Sequence, residues 1–511
     1  EEVSREQYFQ FKDPVDAEGG PLRAVRDAAR VLRGMLNKRS EQRAGFSIAQ
    51  VLMDTTRSVD RPDLSPAFWA DLTHLFLALT GRVEVAPWIP GEPTPGLQGR
   101  DAAIERSGRL DLLWEHVQGR MQRFPDGLSR ESRDRRLGRE REVAAALGGT
   151  PEDFEDWRWQ VANVLKDPTR LARVVPLSDP EREAIAPLTL HRLPFGVTPY
   201  YASLMDDEVD AGRDRALRAQ VIPPGDYVRD MVESRDQRQC AFDFMLERDT
   251  SPVDLVTRRY PAIAILKPYN TCPQICVYCQ RNWEIDQAMD PAALASPESI
   301  DDAIAWIRDH PSVREVLVTG GDPLALADGP LLDILQRVAA IPHVDMIRIG
   351  TRTPVTLPMR ITPELASRLG ALREPGRRDV CVVTHVQHPY EVTPRMVTAI
   401  ERLRRQGITV LNQLVYTLHV SRRFEAASLR MLLRRIGIEP YYTFLPKGKE
   451  ELAAYRVPLA RLVQEQAEEA RLLPGSRRTD EAVYNVPGLG KNYLRAFQHR
   501  ADAGDVHAGR Q

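Results

Sequence analysis

Ala262-Ile-Ala-Ile-Leu-Lys-Pro-Tyr-Asn-Thr-Cys272-Pro-Gln-Ile-Cys276-Val-Tyr-Cys279 joins a short apolar run to three cysteines spaced Cys-x3-Cys-x2-Cys. The run reads as a buried strand. The cysteines then fall at its carboxyl end, where α/β folds place their ligands. Working outward, short apolar runs recur at 315–319, 345–349, 380–386, 408–413 and 440–445. Helical spacing fills the gaps at 298–309, 329–340, 363–371, 393–405 and 424–436. Strands alternating with helices of this length imply βα units around a parallel sheet. Six units are too few for a closed eight-fold barrel. The expected fold is α/β, an open partial (β/α)6 barrel preceded by a helical region.

The chain has five cysteines, and three of them lie within eight residues, a poor disulfide framework. Thiolates are soft ligands that suit iron–sulfur clusters and zinc. Three of them can hold three irons of a [4Fe–4S] cube and leave the fourth iron open to another ligand. A zinc site with a distant fourth ligand, or free buried thiols, remains the alternative from spacing alone. Thr319-Gly320-Gly321-Asp322 follows the second strand. Glycines there let a backbone come close to a ligand, though Gly-Gly-Asp is also a common turn. Near the C-terminus, Pro487-Gly-Leu-Gly-Lys491 is a glycine turn ending in lysine, one of only seven lysines in the chain. A lysine amine can hold an aldehyde cofactor as a Schiff base. Read by itself, the turn could equally lie on the surface.

The wider pattern resembles the lysine 2,3-aminomutase family of radical S-adenosylmethionine (SAM) enzymes. The matching segments are Trp157-Arg-Trp-Gln160, Thr198-Pro-Tyr-Tyr-Ala-Ser-Leu-Met205, Arg259-Tyr-Pro261, the cysteine loop, Arg348-Ile-Gly-Thr-Arg-Thr-Pro354, Thr384-His-Val-Gln-His-Pro389, Asn412-Gln413, Pro440-Tyr-Tyr442 and the glycine–lysine turn. The resemblance implies a radical SAM barrel in which Cys272, Cys276 and Cys279 hold a [4Fe–4S] cluster. Tyr278 would pack on the SAM adenine, and Gly320, Gly321 and Asp322 would face its methionine end. Lys491 would carry pyridoxal 5′-phosphate (PLP), with Gln413 near the ring. Arg259 would hold the PLP phosphate, whereas the second family arginine is Ile263 here, leaving Arg422 or Arg423 as possible substitutes. A 5′-deoxyadenosyl radical would take hydrogen from C3 of an amino acid whose amino group then moves from C2 to C3. The electron would come from a donor such as flavodoxin or ferredoxin.

The resemblance also bears on the substrate. Arg281 matches the arginine that pairs with the α-carboxylate. The lysine enzymes use two aspartates for the substrate's ε-ammonium. Lys447 and Asn485 stand at those positions, as in the glutamate 2,3-aminomutases. L-glutamate is therefore the expected substrate and β-glutamate (3-aminoglutarate) the product. The alternatives are lysine or another amino acid in the same reaction, or a PLP-independent radical SAM enzyme. His385 and His388 are expected to hydrogen-bond near the cofactors, and no structural zinc is expected.

The formal net charge of −2 argues against nucleic acid as a partner. No apolar run is long enough to span a membrane. A cytoplasmic homo-oligomer is expected. The domain reading is a helical extension over 1–110, a helical region over 111–255, the barrel over 256–450 and a lysine-bearing segment over 451–511. Residues 86–96, rich in proline and glycine, read as a linker, and the charged stretch 130–136 as a solvated helix face.

Overall fold

Strand-forming runs along the second half of the chain pair in sequence order. A computed structural model describes residues 20–64, 66–82, 96–234, 243, 245–446, 454–486 and 490–496. Among these, nine strands form one sheet in the order β1 to β9. They are β1 (Val256–Thr257), β2 (Ile263–Tyr269), β3 (Glu315–Gly320), β4 (Met346–Gly350), β5 (Asp379–Thr384), β6 (Thr409–Val415), β7 (Ile438–Phe444), β8 (Glu481–Val486) and β9 (Gly490–Tyr493). Neighbours from β2 to β8 are parallel. The outermost strands β1 and β9 are antiparallel to theirs.

The six expected strands are β2 to β7, and the fold is the expected α/β half-barrel. The sheet goes further than expected. β8 adds a seventh parallel strand, and β9 returns from it as a hairpin that carries Lys491. The expected linker lies mostly outside the described residues.

Residues on β2, β3, β4 and β6 alternate between full and partial burial. Ala264, Leu266, Val316, Val318, Ile347 and Ile349 are fully buried beneath the flanking helices. Their neighbours Ile265, Lys267, Leu317, Arg348 and Gln413 stay half-exposed on the other face. A parallel sheet covered on both faces would be apolar on both. The half-exposed face therefore lines an open cleft.

The helices start where the sequence supplies caps. Ser296, Thr362 and Thr393 each precede a proline, and each side chain accepts a backbone N–H three residues on, at 3.1–3.2 Å. These caps fix helices Pro297–Arg308, Pro363–Gly370 and Pro394–Arg405 against the sheet.

The far end of the sheet curls back to its start. The Lys491 backbone N–H donates to Tyr260 Oη at 2.6 Å, although Tyr260 stands between β1 and β2. Gly490 makes this approach possible. Its φ is +80°, and a Cβ there would stand 2.3 Å from Tyr260 Oη.

Contacts divide the chain into two compact units, Glu1–Gln118 and Gly119–Gln511. In the first, helices Gly20–Met35 and Pro66–Leu79 follow the helical spacing of the sequence, and a small core joins Ala28, Ala29, Leu32, Ile48 and Leu79. In the second, the stretch 130–136 departs from a solvated face. Ser132 and Arg136 of helix Arg130–Ala146 are buried. Arg136 donates to the Tyr390 carbonyl and packs its guanidinium 4.2 Å from that ring's centroid. A backbone acceptor and an aromatic face replace the water that a charge run usually keeps.

Candidate active site

The cysteine loop leaves the carboxyl end of β2 and folds against the β3 and β4 loops. Cys272, Cys276 and Cys279 are not joined in disulfides. No three His, Cys, Asp or Glu side chains among the described residues gather tightly enough for a single metal ion. Three thiolates on one loop suit three corners of a [4Fe–4S] cube. Burial, reinforced by Asp322 and the other two cysteines, keeps the Cys272 thiol well above its ordinary range. Cluster binding must therefore release its proton.

Gly320 and Gly321 press on this loop. A Cβ on Gly321 would stand 2.0 Å from the Thr271 carbonyl oxygen. The glycines thus pack strand end against strand end, which is a different reason for glycine from the ligand approach read in the sequence. Asp322 is buried and its carboxylate is fully engaged. Oδ1 accepts from Thr351 Oγ1 at 2.6 Å and from the Leu324 N–H at 3.1 Å, while Oδ2 accepts from the Arg352 N–H at 2.9 Å. Tyr278 is buried too; its Oη donates to Gln220 Oε1 at 3.3 Å, and the Arg352 guanidinium lies 5.8 Å from its ring centroid.

A second cluster of groups surrounds Lys491. Its amine lies 4.6 Å from the Tyr442 ring centroid and 5.6 Å from that of Phe444. Burial, Arg348 and Arg259 together push the amine down to about 7. A lowered amine of this kind loses its proton more readily than an ordinary lysine and so is better able to attack an aldehyde near neutral pH. Asn485 is the direct cross-strand partner of Lys491 in the β8–β9 hairpin, and opposed residues share a face. Gln413 pairs with Tyr442 in the next strand. An amine of this kind beside aromatic rings and arginines suits PLP.

Charged side chains connect the two clusters. Glu247 lies 3.1 Å from Arg259 Nη2, 2.8 Å from Lys267 Nζ and 2.5 Å from Arg281 Nη1. Burial would raise the Glu247 carboxyl, but Arg281, Lys267 and Arg259 outweigh it and hold it at about 2. Arg281, two residues past Cys279, also pairs with Glu284. Arg259 Nε and Nη2 are buried without an aligned hydrogen-bond acceptor, as an anion site awaiting its ligand would be.

Sequence reasoning missed Lys267 and Glu247. Lys267 stands on the same face of β2 as Ile263, four residues on, and its amine reaches the carboxylate that Arg259 approaches. The signal was available, since a lysine inside an apolar strand is unusual in a chain with seven lysines. Arg422 and Arg423 do not reach this group. Arg422 pairs with Glu425 at the start of helix Glu425–Arg435, and Arg423 pairs with Glu468 of helix Leu459–Leu472. Lys447 lies outside the described residues.

The histidines divide. His385 feels both Arg352 and Lys491, and burial with Arg352 pushes its ring down to about 4, so it stays neutral. His388 is wholly buried. Its Nδ1 accepts from the Tyr390 N–H at 3.0 Å and its Nε2 lies 3.2 Å from Glu425, a structural position.

Comparison with known proteins accords with this geometry. The profile of the Radical SAM superfamily matches residues 266–425, from β2 through the start of helix Glu425–Arg435. An uncharacterised KamA family protein of Methanocaldococcus jannaschii is 42% identical over 93% of this chain and 79% of its own length. The chain belongs to the KamA family of radical SAM aminomutases. Other members are the glutamate 2,3-aminomutase of Clostridioides difficile, 33% identical over 68% of this chain and 77% of its own length, and the L-lysine 2,3-aminomutase of Fusobacterium nucleatum, 35% identical over 62% and 70%. The family implies a [4Fe–4S] cluster and SAM, and its 2,3-aminomutases depend on PLP. No described helix is long and apolar enough to cross a membrane.

Proposed function

We propose that this KamA family member interconverts L-glutamate and β-glutamate. Cys272, Cys276 and Cys279 hold the cluster, and Tyr278 with the Gly320–Gly321–Asp322 turn borders SAM. Lys491 holds PLP over Tyr442 and Phe444, with Gln413 beside them. Bound, the cluster and SAM supply a 5′-deoxyadenosyl radical, and PLP supplies the carrier for the migrating nitrogen. An external one-electron donor of the flavodoxin or ferredoxin kind completes the system.

The protein's own part is placement and charge. Arg281 orients the α-carboxylate by its planar fork of donors. The observation that carries the acidic substrate is Asn485, a neutral side chain paired across the hairpin with Lys491. The resemblance places an aspartate there in enzymes that bind lysine's ammonium. Identity does not choose, because the glutamate and lysine relatives stand at 33% and 35%. The cleft charge favours an anion. Among the described residues, Arg259, Lys267, Arg281, Arg348 and Lys491 gather around Glu247, Glu284 and Glu315. Anaerobic reconstitution with iron, sulfide, PLP and SAM, followed by reduction and a panel of amino acids, tests the reading. L-glutamate is expected to turn over fastest, and preferential turnover of L-lysine would overturn it.

In this reading Arg259 and Lys267 together hold the PLP phosphate, Lys267 replacing the cation absent at Ile263. Losing a charged hydrogen bond costs about 1.5–3 kcal/mol, or roughly tenfold or more in affinity. Lys267→Met is therefore expected to weaken PLP binding about tenfold. Pyridoxal, which lacks the phosphate, should bind as it does to the parent protein. Absorbance titration of both ligands checks this, and equal losses for the two would assign Lys267 elsewhere.

A further inference from the structure

Arg352 has no role in the sequence reading beyond its place in a matched segment, yet it touches the cysteine loop directly. Its guanidinium is buried, and Nη1 donates to Cys276 Sγ at 2.9 Å. Nη2 donates to Glu391 Oε1 at 2.6 Å and to Gln220 Oε1, and Nε donates to the His385 carbonyl at 3.2 Å. Its backbone N–H holds Asp322. Arg352 thus ties the cysteine loop to the Gly-Gly-Asp turn and to the loop after β5.

We infer that Arg352 is a positioning residue that sets the reduction potential of the cluster through its hydrogen bond to Cys276 Sγ. Reduction adds one electron from an external one-electron donor, and the added negative charge is shared by the cluster sulfurs. A donor aimed at one of those sulfurs favours the reduced state and raises the potential. Burial strengthens that bond, because little water competes for it. Arg352 itself exchanges no proton in the step.

The surroundings explain why arginine stands here. An unpaired guanidinium in this site would be costly to bury. Glu391, wholly buried, balances the charge, and it is held in turn by Tyr201 Oη at 2.7 Å and Gln220 Nε2 at 2.9 Å. The guanidinium fork lets one nitrogen face sulfur while the other stays on the carboxylate. Lysine, a single point donor on a flexible stem, cannot span both partners in that geometry.

The inference depends on the cluster and not on which amino acid is rearranged, so the glutamate reading can fail without touching it. The test is an EPR-monitored redox titration of the reconstituted holoprotein, with iron and sulfide counted per chain. Arg352→Met is expected to lower the equilibrium constant for reduction about tenfold, which is about 59 mV for one electron. Arg352→Lys should fall between Arg352→Met and the parent. Unchanged midpoints in both variants at full iron content would overturn the inference. If Arg352→Met does not retain the cluster, Arg352→Lys decides alone. A lowered midpoint supports the tuning role, and a parental midpoint removes it.

Discussion

Lys491→Ala is expected to lower aminomutase turnover by roughly 10²–10⁴-fold, the range for losing a positioned group that exchanges protons and bonds at a reacting centre. PLP then no longer becomes linked to the chain, and borohydride reduction followed by peptide mapping labels no lysine. Iron content stays at the parental value, since the cysteine loop leaves β2 on another part of the sheet. The parent protein carries a pH signature as well. Burial, Arg348 and Arg259 push the Lys491 amine from 10.5 to about 7. Below that pH the amine is protonated and cannot attack the aldehyde; above it the amine is free. Covalent uptake of PLP should therefore rise with pH and reach half its maximum near 7. Arg348→Gln removes one of the depressing charges and should move that midpoint upward. A midpoint near 10 in the parent protein would show that the amine is solvated and that the cleft does not tune it.

Much of this site was legible because its parts carry strong local signals. The cysteine spacing fixes a ligand loop, and the alternation of apolar runs with helices fixes the half-barrel strands β2 to β7. The Ser-Pro and Thr-Pro pairs that cap three of the helices in the structure played no part in the sequence reading, which rested on apolar spacing. What escaped reading depends on long-range pairing. β8 and β9 are short strands, and only the sheet edge offered by β7 makes them strands. Arg352 meets Cys276 across 76 residues of chain, and nothing in an arginine-rich sequence separates it from its neighbours. Arg136 misled in the opposite way. Its charged surroundings in sequence suggest water, but the acceptor that buries it, the Tyr390 carbonyl, comes from 254 residues away. The proposed replacement of the cation missing at Ile263 by Lys267 rests on the two-residue period of a strand, which puts both on one face.

Asn485→Asp separates the acidic from the basic substrate with the smallest possible change in shape. The two side chains have nearly the same volume, so the β8–β9 hairpin should keep its packing. The variant places a carboxylate on the hairpin face that also presents Lys491. For a substrate ending in a carboxylate, the result is like-charge repulsion in a partly desolvated cleft, a penalty of several kcal/mol. The expected outcome is a fall in kcat/KM for L-glutamate of about 10²-fold or more, since each 1.4 kcal/mol is tenfold. Turnover of L-lysine should rise, because its ε-ammonium gains a partner. The new charge also faces the Lys491 amine and should move its midpoint for PLP uptake upward, as Glu315 does, so the two proteins are compared at a pH where their measured PLP occupancies are equal. Adding Lys447→Asp should deepen the loss for glutamate and enlarge the gain for lysine, as specificity set by charge at both positions requires. If glutamate turnover survives Asn485→Asp within twofold while PLP stays bound, the far carboxylate is recognised elsewhere, and the acidic reading of the cleft must be abandoned even though the radical chemistry stands.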